Sequence, residues 1–249
     1  MNTRFSCTGC GSCCSDHHVP LTLDEAVRWA RDGGQLIVLT EGFLDNGIGA
    51  PAGSQRDHAQ KRSWPVNSGT ALAHVAITFA AYNNGACRNL DANNRCKIYA
   101  RRPLVCQIYP MEINPHIPLN ITAKDCPTQA WEEGPELIVG SRLVDPVLAE
   151  LIERSRQADR KQIAVKAAIC ARLGIDTAAL KGDGFTVFLP DGAAFLKATR
   201  EVVRHKHPVF ADWNFQVSGE AVAEELRAAG AAVNLAVETG KMFIPLRAA

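Results

Sequence analysis

Four cysteines fall within one short stretch near the start of the chain, Cys7-Thr8-Gly9-Cys10-Gly11-Ser12-Cys13-Cys14, and this cluster constrains the fold more than any other feature. Five more follow at Cys87, Cys96, Cys106, Cys126 and Cys170, giving nine in 249 residues. The odd total and the adjacent pair Cys13-Cys14 argue against a disulfide framework, which belongs mainly to small secreted domains with too little core. This chain is 47% hydrophobic and 21% charged, so it has the apolar content for a core of its own and is neither fibrous nor largely disordered. Its opening, Met1-Asn2-Thr3-Arg4-Phe5-Ser6-Cys7, lacks the apolar core of a secretory signal. A cytoplasmic setting is expected, where closely spaced cysteines serve as metal ligands or redox groups.

Charge and hydropathy narrow the partners. With 27 Lys and Arg against 26 Asp and Glu, there is no electrostatic case for nucleic acid or anionic lipid. No apolar run reaches the length of a membrane span. The sequence sets no oligomeric state.

The chain reads as α+β: a cysteine-rich, metal-stabilised N-terminal half with a short hairpin, residues 1–130, then a mainly helical region, residues 131–249. Gly9 and Gly11 let the first cysteine cluster curl into a tight loop. A short helix follows, with Thr22 as N-cap, Glu25 completing a capping box, and Gly33-Gly34 as its stop. Leu36 to Thr40 is a candidate strand. Residues 45 to 70, rich in Gly, Ser, Asn and Pro, read as a long loop. His74 to Tyr82 reads as a strand, and Asn83-Asn84-Gly85 predicts a turn that folds residues 86 to 90 back as a hairpin. Further on, Asp145-Pro146 starts a helix that runs toward Gly174, with a break expected near Gln157–Asp159. Two more helices are expected, Asp191–Lys206 and about Ser218–Ala229.

Thiolates suit zinc and iron–sulfur clusters. Zinc sites usually draw on separated Cys-x2-Cys pairs, whereas three thiolates on one curled loop match the spacing of ferredoxin-type four-iron loops. This tilts the reading toward a 4Fe–4S cluster, with zinc as the alternative. Neighbouring side chains in an extended segment point to opposite sides, so Cys13 and Cys14 are expected to serve different centres. Together with Cys87, Cys96, Cys106 and Cys126 the loop offers eight thiolates, enough for two four-ligand centres. A single cluster with unligated thiols remains the competing account. Cys170, beside Ile169 and Leu173, reads as a core thiol. His17 and His18 follow the loop directly and offer imidazole ligands or a surface cap; His116 sits in a turn between two cysteines. Arg101 and Arg102 suit either an anionic contact or a solvated helix end.

The full spacing, Cys7-x2-Cys10-x2-Cys13-Cys14 and then Cys87-x8-Cys96-Lys97-Ile98-Tyr99-x-Arg101-Arg102-Pro103-x2-Cys106-x2-Tyr109-Pro110, resembles the CxxCxxCC cysteine-cluster family, also called YkgJ-like. That family is described as a zinc- or iron-chelating domain, and flagellin lysine N-methylases are placed in it. The resemblance implies that Cys7, Cys10, Cys13, Cys14, Cys87, Cys96, Cys106 and Cys126 bind metal. The segment Ile98 to Pro103 matches the family's Tyr-x-x-Arg-Pro stretch. Two departures stand out: Gln107 replaces a frequent Arg, and Tyr109-Pro110 replaces a Phe-Pro pair. The insertion between Leu44 and Val66 also looks particular to this chain.

Three functional classes stay open. One is an enzyme resembling the lysine N-methylases, with S-adenosylmethionine (SAM) implied by the resemblance alone and a protein as substrate. Another is a zinc-stabilised binding or metal-handling module. The third is a cluster that carries electrons to a redox partner. The sequence shows no base or nucleophile constellation and no SAM-binding glycine fingerprint.

Overall fold

The computed structural model describes residues 2–204, 211–235 and 242–245. It contains both helices and sheets, as expected of an α+β chain. Two compact units interleave along the sequence: the first is Met1–Leu21 with Tyr82–Ala158, the second Thr22–Ala81 with Asp159–Ala249.

The second unit is organised around a mixed sheet. Its strand Leu36–Leu44 is apolar almost throughout and pairs antiparallel with Ala71–Ala81, with Leu36 opposite Ala81 and Leu44 opposite Ala73. Its other edge is shared by Thr177–Leu180, in parallel, and Gly184–Phe188, antiparallel. Asn214–Val217 extends the sheet parallel to Thr177–Leu180, and Val233–Leu235 follows in parallel. Polar side chains inside the sheet are matched: the buried Thr40 hydroxyl donates to the Thr177 carbonyl at 2.7 Å.

The first helix of this unit, Leu23–Arg31, forms as its sequence dictates. Thr22 Oγ1 accepts from the Glu25 N–H, and the Glu25 carboxylate accepts from the Thr22 N–H, so both halves of the capping box are present. Beyond the helix, Trp29 folds over Gly34, where a Cβ would run into its indole ring.

The long helix Pro146–Arg172 is unbroken. Asp145 caps it by accepting from the N–H groups of Val147 and Leu148, and Gly174, at φ +67°, ends it. The division between the two units falls between Ala158 and Asp159, within the stretch where a break was expected. Gly192–Arg204 and Glu220–Ala228 are helices close to the expected spans, although Lys206, the expected end of the former, lies outside the described residues.

Three expectations need correction. Residues 45–70 are not a continuous loop: they hold the helix Ser54–Lys61 and the strand Trp64–Ser68, which pairs with Ala71–Ala81. Residues 86–90 do not return as a hairpin strand, because Ala71–Ala81 already has partners on both edges. The region after residue 131 carries strands as well as helices, among them Thr177–Leu180, whose four residues are all buried and therefore show no alternation.

The first unit has a small core of its own, Leu104, Ile108, Leu137, Leu148 and Ile152, with Phe5, Met111 and Leu119 packed at its rim. All eight candidate ligands belong to this unit; Cys170 is fully buried in the other, as a core thiol would be.

Candidate metal centre

The loop bearing Cys7 to Cys14 is anchored at both ends. At the N-terminal end, Thr3–Arg4 pairs with Glu136–Val139, and the Ser6 N–H donates to the Ala130 carbonyl at 2.8 Å. Phe5 packs its ring against Trp131, with centroids 4.9 Å apart, and edge-on to Tyr109. These contacts draw Cys7 toward the segment that carries Cys126. Gly11, at φ +78°, turns the loop close over Asn94, and a single 3-10 turn then presents Cys13 and Cys14.

At the other end the backbone runs beside residues 85–87. The Asp16 N–H donates to the Gly85 carbonyl, and the Cys87 N–H donates to the Cys14 carbonyl at 2.7 Å. A turn after Cys87 is built by Asp91, whose carboxylate accepts from the N–H groups of Asn93 and Arg95, both at 2.8 Å. A β-bridge between Leu90 and Cys96 then returns Cys96 toward Cys87. Cys106 stands on the short helix Leu104–Ile108, whose Leu104 and Ile108 point into the core. Cys126 and Tyr109 are hydrogen-bonded, Sγ to Oη at 3.4 Å.

Electrostatics sorts these thiols by neighbourhood. Burial pushes the Cys106 thiol up to about 12, with Cys14, Cys87 and Cys96 adding repulsion in that order. Cys87 is raised by burial, then by Cys14 and Cys96. Burial also raises Cys126, whose repelling neighbours are instead Cys10, Cys7 and Asp125. The adjacent pair divides one proton: the Cys13 thiol donates to the Cys14 sulfur, which brings Cys14 down to about 6 and drives Cys13 upward. The Arg102 guanidinium lowers Cys14 further and also counters burial at Cys106. Held 4.1 Å over the Tyr99 ring, Arg102 is a fixed cation beside the second set of thiols.

Two neighbourhoods emerge. Cys7, Cys10 and Cys126 share one, and Cys14, Cys87, Cys96 and Cys106 share the other. Cys13 is next to Cys14 and feels both Cys106 and Cys7. The thiols gather without closing: among the described residues, no three His, Cys, Asp or Glu side chains are arranged to hold an ion. The donor set nevertheless fits a soft cation. All eight thiols are free, and repulsion from neighbouring sulfurs opposes ionisation at Cys13, Cys87, Cys106 and Cys126. A bound cation removes that mutual repulsion, because coordination deprotonates the thiol outright.

The imidazoles are already engaged. His17 Nδ1 meets the Ser15 carbonyl at 2.6 Å, and its Nε2 lies 3.3 Å from the Asp125 carboxylate. His18 stacks on Tyr82, its Nδ1 accepts from the Asn83 N–H, and burial lowers its pKa. At His116 the bond is a backbone one instead: the residue lies in the Asn114 turn, and its main-chain N–H donates to the Asn114 side chain. Sequence reasoning did not single out two groups at the site, Asp125 and the Tyr109 hydroxyl. The adjacency Asp125-Cys126 was visible in the sequence, and so was the change from Phe to Tyr before Pro110.

No helix among the described residues is long and apolar enough to cross a membrane. No curated protein and no solved structure matches the chain. Residues 6–127 do match a family, CxxCxxCC, described as "Putative zinc- or iron-chelating domain", and the match takes in all eight of the gathered cysteines. Over residues 6–127, just under half of its length, the chain is similar to the CxxCxxCC family.

Proposed function

We propose that the first unit binds two thiolate-ligated metal centres, one held by Cys7, Cys10, Cys13 and Cys126, the other by Cys14, Cys87, Cys96 and Cys106. The observation that carries this reading is the division of neighbours around the adjacent pair. Cys14 is bonded through its backbone to Cys87 and repels Cys106, while Cys7 and Cys10 repel Cys126. With Cys14 committed to the second set, Cys13 completes the first. Iron–sulfur is the favoured form, because three thiolates sit on one glycine-bearing curled loop. Four thiolates at each centre leave no open ligand position, which favours a structural, metal-handling or electron-carrying role over catalysis. A redox or client protein is the fitting partner, and a reducing cytoplasm is the fitting setting for so many free thiols.

Anaerobic purification with elemental analysis and EPR tests the reading. Two four-iron clusters give brown protein with about eight iron and eight sulfide per chain. Colourless protein with two zinc ions per chain overturns the iron assignment and keeps the two-centre assignment. One small ion per chain overturns both.

A further inference from the structure

The two sets of thiols differ in three ways that bear on how firmly each holds metal. Exposure is the first. Cys7 and Cys10 are exposed, whereas Cys13 and Cys126 of the same set, like Cys14, Cys87, Cys96 and Cys106, are half-buried, so only the first set has ligands open to solvent. Backbone restraint is the second. The second set sits on paired or helical backbone: Cys87 is hydrogen-bonded to Cys14, Cys96 is bridged to Leu90, and Cys106 lies within a helix. Cys7 and Cys10 instead flank the open apex of the glycine loop, where a Cβ on Gly9 would meet nothing within 4 Å. Charge is the third. A four-thiolate centre around a divalent ion is net negative, so the fixed Arg102 cation stabilises it at the second set. At the first set the charged neighbour is Asp125, adjacent to Cys126 and paired with His17.

Building on the two-centre reading above, we propose that the chain holds one retained and one exchangeable centre. The Cys14, Cys87, Cys96 and Cys106 centre is the permanent one. The Cys7, Cys10, Cys13 and Cys126 centre releases and accepts metal through its exposed loop. Exchange needs no redox step: a competing chelator takes a divalent ion as it is, or takes the ferrous and ferric ions of a cluster while its sulfide leaves as hydrogen sulfide with protons from water, and the freed thiolates take up protons or stay ionised. This division suits a protein whose exposed centre trades metal with a partner while the inner centre keeps the fold closed.

The test uses the full chain as purified anaerobically with its own metal, quantified before and during an EDTA challenge. Iodoacetamide pulses, read by peptide mass spectrometry, report which thiols have been freed. Metal is expected to leave in two phases of equal amplitude. Cys7, Cys10 and Cys126 should become alkylated with the fast phase, and Cys87, Cys96 and Cys106 with the slow one. Arg102→Gln should speed the slow phase roughly ten-fold, the lower end of what partners outside the ligand shell contribute, and leave the fast phase in place. Loss in a single phase, or alkylation of Cys87 and Cys96 first, overturns the division of roles while the two-centre reading stands. A starting metal content of only one centre overturns the two-centre reading itself. Because the wild-type chain supplies the main result, a variant that fails to fold does not block the test.

Discussion

Single atoms at the site decide how readily each thiol becomes a ligand. The Tyr109 hydroxyl is the clearest case. In the thiolate form it donates to Cys126 and lowers that thiol, opposing burial and the nearby sulfurs and Asp125. Removing it in Tyr109→Phe keeps the ring against Phe5 but deletes the donor. In the metal-free chain, the pH profile for alkylating Cys126 should then move to higher pH, since less thiolate exists at any given pH. An unchanged or lower midpoint would show that the hydroxyl does not act on the sulfur. Sequence spacing singled out the sulfurs as candidate ligands, because such spacing can be read along the chain. The hydroxyl was not legible as a site group, since its closeness to Cys126 depends on two turns and a ring stack between residues 5, 109 and 131.

Among the elements, those set by local chemistry were legible. The helix Leu23–Arg31 has the capping box its sequence spells out, and Pro146–Arg172 begins at its Asp-Pro signal. Elements set by distant partners were not. Trp64–Ser68 is a strand only because Ala71–Ala81 lies alongside it, and Asn83-Asn84-Gly85 turns the chain toward Asp16 instead of into a hairpin. The long helix carries a charge that its sequence pattern also concealed. Lys166 is buried, with its Nζ 3.1 Å from Asp159, which also accepts from Arg62 at 2.9 Å. Burial pushes the Asp159 carboxyl up, but Lys166 and then Arg62 outweigh it and hold the group below its usual range. The pair therefore contributes stability above the ordinary carboxylate pKa and loses it as pH falls through the lowered native value. Asp159→Asn should cost about 3 kcal/mol in urea unfolding at neutral pH, because Lys166 is left buried without its counter-charge. Adding Lys166→Met should recover much of that loss; failure to recover would point to packing instead of charge.

Across the whole molecule, the two units differ in what holds them together. The first unit has a core cluster of five buried apolar residues and a set of turns, a small core for a chain segment of its length. The second has the sheet, its helices and most of the buried side chains. Metal binding is worth roughly 10 kcal/mol in small zinc sites, ample to close the excursion between Cys14 and Cys87. Chelation should therefore lower one calorimetric unfolding transition and leave a second in place. If both moved together, or neither did, the first unit would not depend on its metal.

The interleaving of the units also imposes an order on synthesis. Cys14 leaves the ribosome well before Cys87, and Cys126 follows later still, so at typical elongation rates the first loop waits on the order of ten seconds for its last thiol. The central strand Leu36–Leu44 waits as well, because its parallel neighbour Thr177–Leu180 is made after every candidate ligand has emerged. On the proposed two-centre reading, metal insertion is a late event in the life of a nascent chain, and Cys7 and Cys10, the thiols that emerge first, stay open to solvent throughout that interval.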